Sequence, residues 1–168
     1  MKNIDYYINS VLDQLNSWHH SNFKIFELDN ELDDLENLVI RLSYHNYIAW
    51  HMIEEYKNSD TDVVQFVYNG GLLHNAKRNH CMQKIDEIYV NIQKSCDNFN
   101  SEGMGSIFDK LTNDHIKYLH LVENKDDRQS LLLSQVNFHK KCLNKVHDEI
   151  LKGNLNIIIF QKFKINGY

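Results

Sequence analysis

The most constraining feature of the sequence is a long series of residues spaced alternately four and three positions apart. This spacing places every member on one face of an α-helix and is typical of helices that pack in an antiparallel bundle. The series consists of Leu28, Leu32, Leu35, Val39, Leu42, Asn46, Ala49, Ile53 and Tyr56. It predicts a long helix that begins near Glu27 and carries one polar residue, Asn46, on its packed face.

The same periodicity predicts a helix on either side of this one. The first is predicted from the apolar series Ile4, Ile8, Val11 and Leu15. A polar loop is expected at residues 17–22, and a break rich in helix-capping residues at 58–62. A further helix is predicted from Val64 to Ile92. Gly70-Gly71 lies within it and predicts either a kink or a short loop, because glycine is a poor helix former.

The C-terminal half predicts two more helices. After a loop from Asn98 to Gly105, a helix is expected between Ile107 and Val122, and another from about Arg128 to Lys152. Gly153 is a natural residue to end that helix. The remaining residues, 154–168, are rich in β-branched side chains without a clear period, which leaves them as helix or irregular structure.

Composition favours the same architecture. The chain has 168 residues, no proline and six glycines, so little in it interrupts long helices. A chain of this length can bury about 70% of its unfolded surface and needs neither a disulfide nor a structural metal for stability. The sequence therefore predicts an all-α protein, a single-domain antiparallel bundle of four to five helices spanning residues 1–168.

Charge and cysteine content narrow the function classes. The formal net charge is −5 and no basic stripe is visible, which argues against nucleic-acid binding. Three cysteines without a Cys-x-x-Cys pair suit reduced thiols in the cytoplasm. The N-terminus does not read as a signal peptide, and the longest apolar run, Ile157 to Phe160, is too short to span a membrane. Assembly into a homo-oligomer is left open.

Polar residues interrupt four of the predicted apolar stripes. They are Asn46, the group His74, Asn75 and Arg78, and the single residues His115 and His139. Burial of an amide or a guanidinium without partners costs several kcal/mol, so inward-facing residues must satisfy one another, a water cluster or a ligand. The layer predicts either a small-molecule site, with Arg78 binding an anionic group, or a structural device that fixes helix register.

Ordered motifs in the chain resemble a bacterial family catalogued as domain of unknown function 4254, over roughly residues 30–168. The first motif is His45-Asn46-x-x-x-Trp50-His51-x-x-Glu54, and the second is Asn75-x-x-Arg78-Asn79 followed by Ile85-Asp86. The third is Ser101-Glu102-x-x-Gly105-x-Ile107-x-Asp109-Lys110-Leu111, with Lys117 and His120 beyond it. The ending Phe160-Gln161-Lys162-Phe163-Lys164-x-Asn166 is similar as well. The resemblance implies a bacterial helical protein and supplies no established activity.

The chain departs from the family pattern where that pattern has acidic residues. His80 and Gln83 stand at two such positions after Arg78-Asn79, and Ile53 stands at another. Gly103-Met104 replaces an expected Thr-Pro. The missing carboxylates weaken any expectation of acid–base or metal chemistry shared with the family.

Familiar catalytic and metal motifs are not found in the sequence. The Glu-x-x-His spacing of di-iron bundles does not occur, and neither His19-His20 nor His74 with His80 supplies a zinc spacing. We therefore expect no metal and no cofactor, leave open whether the protein is an enzyme, and predict a small anionic ligand in the polar layer. The alternative is a non-catalytic interaction module. The candidate ligand-binding residues are Asn46, His51, Glu54, Asn75, Arg78, Asn79, Asp86, Ser101, Glu102, Asp109, Lys117 and His120.

Overall fold

The computed structural model describes residues 2–21, 33–58 and 70–158, with the backbone alone for 55–58. Within these residues the chain forms five helices and one pair of two-residue strands. The helices are α1 (Ile4–His20), α2 (Leu35–Asn58), α3 (Leu72–Ile92), α4 (Met104–Glu123) and α5 (Gln129–Lys152). The strands are β1 (Phe99–Asn100) and β2 (Asn156–Ile157). The predicted all-α antiparallel bundle is confirmed.

Helix α1 is longer than the sequence analysis predicted. Asn3 caps its start by accepting a hydrogen bond from the Asp5 backbone N–H. The apolar stripe does not stop at Leu15 but continues to Trp18, which is buried, so the expected loop at residues 17–22 is wrong through His20. The additional turn places His19 and His20 on a helix.

Helix α2 crosses the centre of the bundle. Asp34 caps it by accepting the Asn37 N–H at 2.9 Å, so the helix begins at Leu35. The predicted start near Glu27 lies outside the described residues, and Asp33 and Asp34 are not helical. Every residue from Leu42 to Ile48 is buried, which means that this segment is surrounded on all sides.

Helix α3 is preceded by a π-helical turn at Gly70 and Gly71. Gly70 has a φ of 100°, a conformation that favours glycine, and α3 begins at Leu72. The two glycines are therefore helical and do not form the short loop that was one of the predictions, and the earlier part of the predicted helix, at 64–69, lies outside the described residues. The buried residues Cys81, Ile85 and Tyr89 form the packed face of α3.

The C-terminal helices are close to prediction. The break between α4 and α5 falls at residues 124–128, and α5 ends at Gly153, which adopts a φ of 80°. The tail differs from the prediction of helix or irregular structure, because Asn156 and Ile157 pair in parallel with Phe99 and Asn100. This pairing fastens the segment after α5 to the loop between α3 and α4.

The helices share one hydrophobic core. The most extensive contacts join α4 with α5 and α2 with α3, and α1 packs against α2, α4 and α5. Large side chains without exposed surface fill the centre: Ile4, Ile8, Leu15, Leu38, Leu42, Ile85, Tyr89, Met104, Phe108, Leu111, Ile116 and Leu143. In the part of the chain that the structure describes, no helix is long and apolar enough to cross a lipid bilayer.

Candidate metal centre

The predicted polar layer is present, and its central residue is Asp109. Asn46 is 2% exposed, and its amide donates hydrogen bonds to Asp109 Oδ1 at 2.9 Å and to Thr112 Oγ1 at 2.6 Å. Arg78 Nε lies 3.2 Å from the same Asp109 oxygen, although not aligned for a hydrogen bond. Asn46 and Arg78 were both expected to point inward: Asn46 does so, whereas the Arg78 side chain is only partly buried, and the two share the Asp109 carboxylate. We call Asn46, Arg78, Asp109 and Thr112 the Asp109 layer.

The Asp109 layer joins three helices with charges of opposite sign. Asn46 lies on α2, Arg78 on α3, and Asp109 and Thr112 on α4. The Arg78 side chain is 30% exposed and that of Asp109 is 14% exposed. The guanidinium therefore already has a carboxylate partner within its own chain, and no external anion is needed to balance its charge.

Two residues of the predicted site do not lie where the sequence placed them. Asn75 is exposed, so it does not belong to the inward stripe of α3. Ser101 is also exposed and does not cap α4, whose N-cap residue is Gly103. The remaining member of the α3 motif, Asn79, is half-buried, and its side-chain oxygen makes no hydrogen bond with any described residue.

Asp86 fixes the start of α4. Its carboxylate accepts the Gly105 N–H at 2.8 Å and so caps the first turn of α4 from the neighbouring helix. A side chain on Gly105 would collide with the backbone of Met82, so glycine permits this close approach. Burial raises the pKa of Asp86 to about 6, an effect that outweighs the hydrogen bonds from the Gly105 and Met104 backbone.

The last predicted residues of the α4 motif form surface ion pairs. Glu102 contacts Lys110 and accepts a hydrogen bond from Ser106. Lys117 lies 3.3 Å from Asp114. These contacts are separate from the Asp109 layer, so the structure distributes the predicted site over several groups instead of one pocket.

Most described histidines of the bundle interior have a polar partner. His115 contacts Asn16, His139 contacts Asp114, His147 contacts Tyr89, and His45 contacts His74, all at 2.9–3.1 Å. Each of these contacts satisfies a ring nitrogen in the manner usual for buried polar groups.

Three other histidines converge at one end of the bundle. His19 on α1, His51 on α2 and His120 on α4 each offer one ligand atom, and these atoms lie within 4.8 Å of one another. The ring centroids of His19 and His120 are 4.8 Å apart, those of His51 and His120 are 5.1 Å apart, and those of His19 and His51 are 6.5 Å apart. We call these residues the histidine cluster. It is the one group of three or more histidine, cysteine or acidic side chains with metal-ligand spacing in the described part of the chain.

Two carboxylates border the histidine cluster. Glu54 places one oxygen 3.7 Å from Nδ1 of His51 and the other 3.6 Å from Nδ1 of His120. Glu123 Oε1 lies 2.9 Å from Nε2 of His19. Nδ1 of His19 and Nε2 of His120 are buried and make no hydrogen bond with the described residues. A nitrogen of this kind can serve as a metal ligand while the other side of its ring faces a carboxylate.

Burial lowers the pKa of two of these imidazoles, His19 and His51. The pKa of His51 is lowered to about 4, first by burial and then by the nearby His120 ring, against the raising effect of Glu54. Burial likewise lowers the pKa of His19, although Glu123 opposes it. Neutral imidazole is the form that binds metals, since its lone pair is then available.

The helix ends add a field that favours cations. His19 lies in the last turn of α1, and His120 lies in the last turn of α4. The C-terminus of a helix carries a partial negative charge, and it attracts positive charge within about the last turn. Two such helix ends and two carboxylates therefore surround three imidazole nitrogens, an arrangement suited to a divalent cation.

His51, Glu54 and His120 were predicted as site residues, but not as a group with His19. His19 was expected in a loop, because the predicted apolar stripe ended at Leu15. Trp18 continues the four-and-three spacing and was the signal that could have placed His19 on the helix. The three histidines come from three different helices, so no short spacing in the sequence could reveal them as a group.

Comparison with known proteins gave no match: no family model, no curated protein and no solved structure matches the chain. The resemblance to the family of unknown function accordingly stays a prediction.

Proposed function

We propose that the protein binds a divalent transition metal, with zinc as the best fit, through His19, His51 and His120. The observation that carries the proposal is the convergence of the three ligand atoms within 4.8 Å beside two carboxylates. This proposal replaces the sequence-based expectation of a protein without metal.

The ring positions are close to those of a three-histidine zinc site. Zinc–nitrogen bonds of about 2.0–2.1 Å in a tetrahedral site place the ring centroids roughly 5 Å apart. Two of the three centroid separations, 4.8 Å and 5.1 Å, already agree with this value. The third separation, 6.5 Å between His19 and His51, must shorten by rotation of the rings. Such a rotation needs no movement of the helices, because the side-chain torsions of histidine can supply it.

The ligand chemistry favours zinc over harder and softer ions. Imidazole nitrogen suits zinc, copper, iron and nickel, whereas magnesium and calcium prefer oxygen ligands. The three cysteines are free thiols, and none of them belongs to the cluster. The carboxylates that contact the imidazoles resemble the outer partners that orient histidine ligands in zinc proteins.

The Asp109 layer supports a structural role rather than the anion site predicted from the sequence. Arg78 faces Asp109 in its own chain, and Asn46 donates to the same carboxylate. We infer that this layer fixes the register of α2, α3 and α4, as buried polar residues do in coiled coils. We also place the protein in the cytoplasm, an assignment supported by its three free thiols.

Titration of the metal-free, full-length protein with zinc tests the proposal. Isothermal titration calorimetry should show one zinc per chain, and cobalt should give the visible spectrum of a tetrahedral site. His51→Ala and His120→Ala should each abolish both signals. His139→Ala is the matched control, because His139 contacts Asp114 outside the cluster, and it should bind zinc normally. Absence of binding, or equal loss in the control, would contradict the proposal.

A further inference from the structure

We propose that a second copy of this chain packs antiparallel against the exposed side of α5 and forms a symmetric dimer. The structural basis is a pair of exposed apolar side chains that lies between two opposite charges. We call Asp127, Leu131, Ser134, Phe138 and Lys141 the α5 face. It shares no residue with the histidine cluster or the Asp109 layer, so the dimer needs no metal.

The two apolar residues of the α5 face point in nearly the same direction. Leu131 and Phe138 are seven positions apart on one helix, so their side chains differ in direction by only about 20° and lie about 10 Å apart along the axis. Each is 61% exposed, although residues of these types are usually buried. Val136, Leu143 and Ile150 pack into the core from another side of α5. The seven-residue spacing is the one along which two helices pack against each other.

Opposite charges flank this apolar pair. Asp127 is exposed and precedes Leu131 by four residues, just before the first residue of α5. Lys141 is exposed and follows Phe138 by three residues, which is about one helical turn. Neither charge forms an ion pair with a described residue. Along the chain the α5 face therefore runs from an acidic residue through two apolar residues to a basic one.

This order is complementary to its own reverse. When two α5 helices cross antiparallel at Ser134, Leu131 of each copy meets Phe138 of the other. In the same arrangement, Asp127 of each copy meets Lys141 of the other, as a two-fold axis requires. A parallel copy in register would instead bring like charges together, which is unfavourable. The charges of the α5 face thus favour a second copy of this chain in the antiparallel direction.

Ser134 suits the point where the two helices cross. Its side chain is small and exposed, so the backbones of the two helices can approach closely there. Its hydroxyl already donates a hydrogen bond to the Ser130 carbonyl at 3.0 Å. Contact with a second helix therefore leaves no unsatisfied hydroxyl donor at the crossing.

The extent of the α5 face predicts a weak dimer. The apolar part of the interface consists of two side chains from each copy, which is small beside stable interfaces that bury more than about 1,000 Å². Exposed ion pairs contribute more to orientation than to affinity. We therefore expect a dissociation constant of roughly 10–100 µM.

Sedimentation velocity of the full-length protein at about 5 to 500 µM, a range that brackets this constant, tests the proposal. A chelator in the buffer prevents association through a metal. The wild type should pass from monomer to dimer as its concentration rises, and Phe138→Ser should weaken dimerisation at least about tenfold. Leu133→Ser is the matched control, because Leu133 is a 41% exposed residue on another side of α5, and it should dimerise like the wild type. Circular dichroism checks that each variant keeps its helices.

The charges test the orientation separately. Lys141→Glu places a glutamate opposite Asp127 of the other copy and should weaken the dimer severalfold. Adding Asp127→Lys to that variant restores both ion pairs with reversed sign and should restore dimerisation. A double variant no stronger than Lys141→Glu would refute the antiparallel arrangement.

Two other results would overturn the proposed dimer. The wild type would stay monomeric at every concentration if another segment of the chain, or a different protein, covered the α5 face. Equal dimerisation of Phe138→Ser and Leu133→Ser would show that the copies associate through a different surface. Neither result would affect the proposed metal binding, which is measured by zinc titration.

Discussion

The Asp109 layer and the histidine cluster both bring polar side chains from three helices into the bundle, but they differ in the balance of donors and acceptors. In the Asp109 layer, Asn46 donates to one carboxylate and one hydroxyl, and the Arg78 guanidinium lies 3.2 Å from that carboxylate. In the histidine cluster, ligand atoms from three imidazole rings lie within 4.8 Å of one another.

This difference distinguishes polar residues that hold helices together from polar residues that could bind a ligand, and it does so better than their degree of burial. A layer in which a carboxylate faces an arginine and an amide N–H balances its own charge and can hold the helices in register. A group of convergent imidazole nitrogens, by contrast, can bind one metal cation in common. The interrupted stripe at Asn46 marks the Asp109 layer, to which we assign a structural role. The proposed metal centre instead lies where an apparently regular stripe reaches the end of α1.

The largest expected effect is the loss of the carboxylate at the centre of the layer. Asp109→Ala leaves Asn46 and Arg78 without their shared acceptor and should lower the free energy of unfolding by about 3 kcal/mol. Urea denaturation measures this change. Asp126→Ala is the control, because Asp126 forms a surface pair with Arg128, and it should unfold like the wild type. A small effect of Asp109→Ala would mean that the layer does not hold the helices together.

Zinc should stabilise the protein through the histidine cluster by a slightly smaller amount. At about 100 times its dissociation constant, a ligand that binds only the folded state adds about 2.7 kcal/mol. For a chain of this size, that corresponds to a rise in Tm of roughly 5–10 °C. The shift should vanish in His120→Ala and persist in Asp109→Ala, measured by differential scanning fluorimetry at a fixed zinc concentration. A shift that depended equally on both residues would erase the distinction between the two regions.

Substitution of the arginine should have a moderate effect. Arg78→Met retains much of the side-chain length and apolar volume but leaves Asp109 without its cation. Because the Arg78 side chain is 30% exposed, water compensates in part, and we expect a loss of about 1–2 kcal/mol. Thermal unfolding measures it. An unchanged or higher Tm together with lost binding of a small anion would revive the anion site predicted from the sequence.

Near pH 6, the smallest expected effect is a pH dependence set by buried histidines with lowered pKa values. Burial lowers the pKa of His115 to about 4, so below about pH 6.5 the unfolded chain binds a proton that the folded chain does not. Stability should therefore fall as the pH drops from about 6.5 towards 4, by up to about 1.4 kcal/mol per pH unit for one such group. His115→Gln should make this slope shallower in urea denaturation series at successive pH values.

Asp86 and bound zinc should also change how stability depends on pH. Asp86 acts in the opposite direction, because its raised pKa means that the folded chain binds the extra proton below about pH 6. Zinc should make the loss of stability on acidification steeper, since protons compete with the metal for the imidazole nitrogens. If zinc left the slope unchanged, the metal would not be bound by the histidine cluster.

Most of the fold could be predicted because the spacing of apolar residues within one helix shows which face of that helix is buried. The stripe through Leu35, Leu42 and Asn46 predicted the face on which α2 packs, and Gly153 ended α5 as expected. The pairing of β1 with β2 could not be predicted, because it joins residues that are far apart in sequence through only two residues on each strand. The cap on α4 was missed for the same reason, since Asp86 supplies it from another helix.

The site could be predicted only in pieces. Asn46, Arg78 and Asp109 were all recognised as candidates, and the structure joins them. His51, Glu54 and His120 were recognised as well, but their common partner, His19, lies on a helix that was predicted to end before it. A metal centre assembled from three helices depends on how those helices pack, and a spacing rule that works within one helix cannot detect it.

Helix α2 is enclosed on all sides between Leu42 and Ile48, so we expect the amide hydrogens of this segment to exchange with solvent more slowly than those nearer the helix ends. Asn46 lies at the centre of this slowly exchanging segment, whereas His51 lies just beyond its end, where the side chain is 18% exposed. The same helix thus contributes a fully buried residue to the Asp109 layer and a partly exposed residue to the histidine cluster. There the ring of His51 can turn toward an incoming ion while the core stays closed.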